Sequence, residues 1–146
     1  MPDDVALLTE RLGRAPEGAF EVVVRNGDGT PVVIRNAPFL RDGTPMPTRY
    51  WLCDPALRQA VSRLEAAGGV RAAEAAVDPA ALAAAHAAYA AERDAAVEAI
   101  DTAYAGPRPS GGVGGTRRGV KCLHAHYAFH LAGGDDPVGR WVEERL

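Results

Sequence analysis

The chemistry of this chain is concentrated in ten consecutive residues, Lys121-Cys122-Leu123-His124-Ala125-His126-Tyr127-Ala128-Phe129-His130, which hold one of its two cysteines and three of its four histidines. Wound as a helix, Cys122, His126 and His130 follow one another at i,i+4 steps on one face with Phe129, while His124 points nearly the opposite way, alongside Val120 and Leu131. A cysteine and a histidine one turn apart can share a metal ion. Cys53 and His86, brought in from distant segments, would complete a four-ligand set of Cys53, Cys122, His126 and His86, with His124 as a substitute. A mixed thiolate–imidazole set of this kind favours zinc. The chain has no Cys-x-x-Cys pair, so the set depends on tertiary placement. The same residues support a second chemistry. Cys122 in a first helical turn beside Arg117, Arg118 and Lys121 would gain thiolate character, and with His126 or His124 as base the group becomes a nucleophilic or acid–base set. In the third reading the cysteines are small core hydrophobes and the histidines bond locally.

Immediately before this segment lies a glycine-rich loop over residues 106–119, ending Ser110-Gly111-Gly112-Val113-Gly114-Gly115-Thr116-Arg117-Arg118-Gly119. Glycines let backbone N–H groups converge on an anion, and a following helix N-terminus adds partial positive charge. Gly114, Gly115, Arg117, Arg118 and Lys121 would then hold a phosphate or carboxylate. The loop is not a Walker A sequence, because Val120 and Lys121 stand where Lys and Ser/Thr are needed, and Arg117 breaks a Gly-x-Gly-x-x-Gly reading. The plain alternative is a linker with solvated arginines.

The elements that must position these groups can be read from periodicity. Residues 3–14 carry an apolar stripe of Val5, Leu8 and Leu12 and read as a short helix. Phe20 to Arg25 and Val32 to Arg35 flank the turn Asn26-Gly27-Asp28-Gly29, giving a β-hairpin. Ala37 to Pro47 is a loop. Thr48 to Cys53 reads as a third strand with Trp51 and Cys53 on one face, Tyr50 and Leu52 on the other. Asp54-Pro55 opens a helix that Gly68-Gly69 ends. A weaker helix over 70–77 follows, and Asp78-Pro79 opens a long alanine-rich helix to about Tyr104. Further helices are expected over 120–132 and 138–145, the second carrying Trp141. On the long helix, Leu82, His86, Tyr89, Arg93, Val97, Ile100 and Tyr104 form one stripe. Tyr89 and Arg93, with His86, would look into a polar ligand site. Alternatively Arg93 reaches water along its aliphatic stem.

Composition bounds the function. The 146 residues fit a single domain over 1–146, and 47% apolar content is globular, although much of it is alanine. A net charge of −3 argues against wholesale nucleic-acid binding. No apolar run is long enough for a bilayer, and the acidic start MPDDVALLTERL does not read as a secretory signal. A cytoplasmic setting with reduced thiols is expected.

The segments TRYWLCDPALRQAVSRLEAAGG, AHAAY and GGVGGTRRGVKCLHAHYAFHLAGGDDPVG together resemble the bacterial domain of unknown function family 501, over about Gly18 to Trp141. The resemblance implies a small cytoplasmic bacterial protein and supplies no established activity. Genes resembling it often lie near a cell-division septum initiator and an exopolyphosphatase, which implies a link to cell division or polyphosphate metabolism. Family-like positions are Cys53, Arg63, Glu65, His86, Tyr89, Cys122, His124 and His126; the resemblance carries no role onto His130.

The sequence therefore predicts an α+β domain, a β-hairpin plus a third strand packed with about five helices, one of them long and alanine-rich. Its leading functional reading is a zinc site. The others are an enzyme or binding protein for a small anionic ligand, and an interaction module that meets a protein partner or assembles with itself through the alanine-rich helix.

Overall fold

A computed structural model describes residues 3–100 and 106–146. Among these residues, six α-helices accompany a three-stranded antiparallel sheet of order β1-β2-β3. The strands are β1 (Phe20–Arg25), β2 (Pro31–Asn36) and β3 (Tyr50–Leu52). The helices are α1 (Asp4–Leu12), α2 (Pro55–Ala66), α3 (Gly69–Ala76), α4 (Pro79–Glu98), α5 (Leu123–Leu131) and α6 (Pro137–Glu143). The α+β class expected from periodicity is what the chain adopts, with six helices where about five were counted.

The middle strand explains the layering. Val33 and Ile34 are adjacent in β2, point to opposite faces, and are both fully buried, so each face of the sheet must be covered. On one face α1 lays Leu8 against Ile34 and Cys53, with Phe20, Val22 and Trp51 at the margin. On the other, Val33, Tyr50 and Leu52 meet the main core, which includes Leu123, Tyr127, Phe129, Val138 and Trp141. Alternation along Tyr50 to Cys53 thus sends Trp51 and Cys53 to the α1 face and Tyr50 and Leu52 to the other.

Helix α5 is the centre of the second layer, packed against β3, α2 and α6. Its close approach to α6 depends on Gly139, where a Cβ would run into the Cβ of His130 and the carbonyl of His126. Three helices begin with an Asp-Pro pair whose carboxylate caps free N–H groups: Asp54 accepts from Leu57, Asp78 from Ala81, and Asp136 from Val138 and Gly139. The alanine-rich helix ends at Glu98 with Ala99 as its C-cap, short of the predicted boundary. Its buried side chains include Leu82, His86, Tyr89, Arg93 and Val97, the predicted stripe. Ile100 lies beyond it, 54% exposed, and Tyr104 lies outside the described residues. Among the described residues no helix is long and apolar enough to cross a membrane.

Candidate functional site

The polar side chains that α4 turns inward have defined partners. The His86 ring is fixed through both nitrogens: Nδ1 accepts the Val113 N–H at 3.0 Å and Nε2 donates to the Gly119 carbonyl at 2.8 Å. This requires the neutral Nε2–H tautomer. Burial pushes the His86 pKa below its ordinary value, with the Gly119 carbonyl working the other way. His86 is therefore a clamp that ties the glycine loop to α4. Gly112 makes the fit possible, since a Cβ there would sit 2.5 Å from His86 Nδ1.

Tyr89 is fully buried and bonds to the sheet rather than to the loop. Its hydroxyl accepts the main-chain N–H of Arg49 at 2.5 Å and that of Tyr50 at 3.3 Å, fastening α4 to the start of β3. Desolvation pushes its pKa up to about 12, so the hydroxyl stays neutral. Its expected place in a ligand site is corrected: both ends of the side chain are engaged inside the fold.

Arg93 is only 2% exposed, so escape to water along its stem does not occur. Nη1 donates to the Gly111 carbonyl at 2.5 Å and Nη2 to Asp94, whose side chain is 63% exposed. Nε is buried without a partner. Above this guanidinium, between α4 and the loop, runs an open trough of about 340 Å³ that includes Ala87, Ala90, Ser110, Gly111 and Arg117. A neighbouring hollow of about 380 Å³ continues it past Arg117 and Arg118 to Gly119. Arg117 and Arg118 are exposed.

The loop's amides do not form a phosphate cradle, which corrects the roles given to Gly114 and Gly115. Gly112 N–H goes to Thr116 O, Val113 N–H to His86 and Gly115 N–H to Gly112 O. Gly114 turns toward Lys121, and both border a second cleft on another side of the molecule. Nor does α5 lend a free N-terminus. Leu123 N–H is taken by Glu65 at 2.8 Å and Ala125 N–H by Cys122 Sγ at 3.4 Å.

That second cleft, about 490 Å³, lies between α2, β3 and the start of α5, with Tyr50, Trp51 and Leu52 on its apolar side and Arg58, Ser62, Lys121, Cys122 and His124 on its polar side. His124 is held by Glu65, Oε1 to Nδ1 at 3.1 Å, while its Nε2 lies 3.2 Å from both Ser62 Oγ and the Arg58 carbonyl. Sequence reasoning missed Ser62 and Arg58 altogether and gave Glu65 no role. The available signal was the i,i+3 spacing of Ser62 and Glu65, which places them on one face of α2.

The proposed zinc ligands are not brought together. Cys53 is fully buried on the α1 side of the sheet, packed with Leu8 and Ile34, whereas Cys122 and His126 belong to the opposite layer. His86 has both ring nitrogens occupied. His126, also fully buried, gives its Nδ1–H to Asp136 at 2.6 Å, and its Nε2 is buried without a partner. The His86 and His126 rings lie 5.6 Å apart, nearly perpendicular. Among the described residues no group of three or more His, Cys, Asp or Glu side chains is placed to hold a metal ion.

The nucleophilic pairing of Cys122 with His126 is corrected for the same local reason. Cys122 is the N-cap, with extended φ −148° and ψ 146°, so it stands outside the helix and off the His126 face. Burial pushes its thiol pKa up, and the Glu65 charge adds to this, against the pull of nearby N–H groups and Lys121. Burial thus works against the expected thiolate character. Cys53 is pushed up to about 11 by burial. Both are free thiols.

A family model described as a protein of unknown function, DUF501, matches residues 22–144. The chain belongs to this family. Comparison with curated proteins and with solved structures gave no match. Both clefts and every histidine of this DUF501 chain lie mainly or wholly within the matched stretch, but membership assigns none of them a role. The functional argument rests on geometry.

Proposed function

We propose that this protein binds a small phosphate- or carboxylate-bearing ligand in the trough between α4 and the glycine-rich loop. The observation that carries the reading is Arg93. A guanidinium 2% exposed, with one N–H unpartnered and its only carboxylate neighbour among the described residues, Asp94, mostly in water, leaves positive charge under the floor of an open trough. A buried charge so weakly compensated is costly, and an anion seated above it would offset that cost. Arg117 at the rim would supply the directional, bidentate contact that suits phosphate or carboxylate. The clamp by His86 and the tie from Arg93 Nη1 to Gly111 fix the loop before a ligand arrives, which lowers the ordering cost of binding.

The test is a thermal-shift series with inorganic phosphate, tripolyphosphate and citrate. A ligand present at ten times its Kd stabilises the folded state by about 1.4 kcal/mol. At least one of these anions should raise the unfolding midpoint, with the gain abolished in Arg117→Ala and retained in Lys121→Ala. A flat response to all three, or a gain lost in Lys121→Ala and kept in Arg117→Ala, sinks the reading.

A further inference from the structure

The 490 Å³ cleft on the β3 side holds a series of close polar contacts that the anion trough does not use: Glu65 within ion-pair distance of His124 Nδ1 at 3.1 Å, and a hydrogen bond between His124 Nε2 and Ser62 Oγ at 3.2 Å. We propose that Ser62, His124 and Glu65 form a nucleophilic relay acting on an ester or thioester whose acyl part is apolar and which carries an anionic group.

One tautomer of the His124 ring gives each partner the sense this chemistry needs. With the neutral ring's proton on Nδ1, facing the Glu65 carboxylate, the Nε2 lone pair accepts from the Ser62 hydroxyl; this is the tautomer that reacts, whereas a proton on Nε2 points to the Arg58 carbonyl. Glu65 is itself oriented by the Leu123 N–H on its second oxygen, at 2.8 Å. It is a positioning residue; Ser62 and His124 are the catalytic residues. The Arg58 carbonyl, 3.2 Å from Nε2, can accept from the ring once Nε2 has taken a proton. Ser62 is exposed at the cleft, and its place in the interior of α2 fixes its backbone.

The chemistry balances without any absent group. Ser62 Oγ bonds to the carbonyl carbon as its proton passes to His124 Nε2, giving a tetrahedral oxyanion. The carbon–leaving-group bond then breaks, and the alcohol or thiol departs with the proton from Nε2. Water, deprotonated by the same nitrogen, releases the acid and restores Ser62. The lining names the substrate class. Leu12 and Trp51, beside the β3 edge, offer an apolar wall for the acyl group, while Arg14, Arg58 and Lys121 converge from α2 and the loops on either side. Arg58, whose Nη1 donates to the Arg11 carbonyl, and Lys121 form no ion pair among the described residues, so their charge is available to a substrate anion or to the oxyanion.

The experiment uses the full chain with p-nitrophenyl hemisuccinate as substrate and a fluorophosphonate as label, read by intact mass and peptide mapping. Labelling is expected on Ser62, with hydrolysis falling at least about 100-fold in Ser62→Ala and in His124→Ala. Ser62→Ala places alanine at an exposed helical position and should fold. Glu65→Gln keeps an oxygen for the Leu123 N–H while removing the charge, and is expected to lower kcat about 10-fold with KM unchanged. Label on Cys122, no label on Ser62, or equal hydrolysis by Ser62→Ala overturns the proposal. Arg117→Ala should leave hydrolysis unchanged, so failure here and failure of the anion trough are separate results.

Discussion

Replacing Tyr89 by Phe isolates one tertiary fastening. The change keeps the ring, which packs edge-on to Phe129 at 5.1 Å and to Tyr50 at 6.1 Å between centroids, and deletes only the oxygen. Two main-chain donors then lose their acceptor, the N–H groups of Arg49 at 2.5 Å and Tyr50 at 3.3 Å. Tyr89 is fully buried, so water cannot replace it without reorganising the core. An unsatisfied buried donor costs about 1–3 kcal/mol. Weighting the shorter bond fully and the longer one lightly gives a loss of about 2–3 kcal/mol, a large share of the roughly 5–15 kcal/mol typical of a domain. Urea unfolding followed by tryptophan fluorescence measures it: the midpoint should fall with the slope m unchanged. Tyr127→Phe is the control. Its hydroxyl has no hydrogen-bond partner among the described residues, and about 0.5 kcal/mol or less is expected. A Tyr89→Phe loss as small as the control's would refute the argument that this hydroxyl fastens α4 to the sheet.

Other expectations follow from single contacts. Because the folded form depresses the His86 pKa, it binds fewer protons than the unfolded chain below pH 6.5, so the stability from His86 is present above 6.5 and is lost as pH falls through the folded value. One group can contribute a slope of at most about 1.4 kcal/mol per pH unit, and the difference between wild type and His86→Asn in urea unfolding from pH 7.5 to 5 should reveal it; identical pH dependence in the two would contradict the clamp. Gly112→Ala, at an ordinary φ of −98°, drives a Cβ into His86 and should cost about 1–3 kcal/mol while accelerating hydrogen exchange at Val113. Asp136→Ala removes the cap on α6 and the partner of buried His126 together, and should cost about 3–5 kcal/mol by chemical denaturation. Thiol titration should find two free cysteines after unfolding, with Cys53 protected in the native state because it is fully buried and its pKa is pushed up to about 11.

The sequence by itself determined the elements, because the forces that set them are local. Asp54-Pro55 and Asp78-Pro79 open helices through a carboxylate one turn from its N–H and a proline with nothing to lose there. Alternation in Tyr50 to Cys53 settled which side chains share a face, and the 3.6-residue period put His86, Tyr89 and Arg93 on one stripe, while burial of Arg93 was decided by packing. What those inward groups meet could not be read locally. His86 closes on Val113 and Gly119, and Tyr89 on Arg49 and Tyr50, across separations of about 30–40 residues along the chain that only packing fixes. The spacing of Cys122 and His126 matched one turn of helix, yet Cys122 sits as the N-cap in extended backbone, because its sulfur is used to satisfy Ala125. Cys53 was separated from Cys122 by the sheet itself. Ser62 and Glu65 became neighbours of His124 only when α5 docked against α2. A site assembled from separate elements depends on how their buried faces fit, and that fit is a property of the whole core.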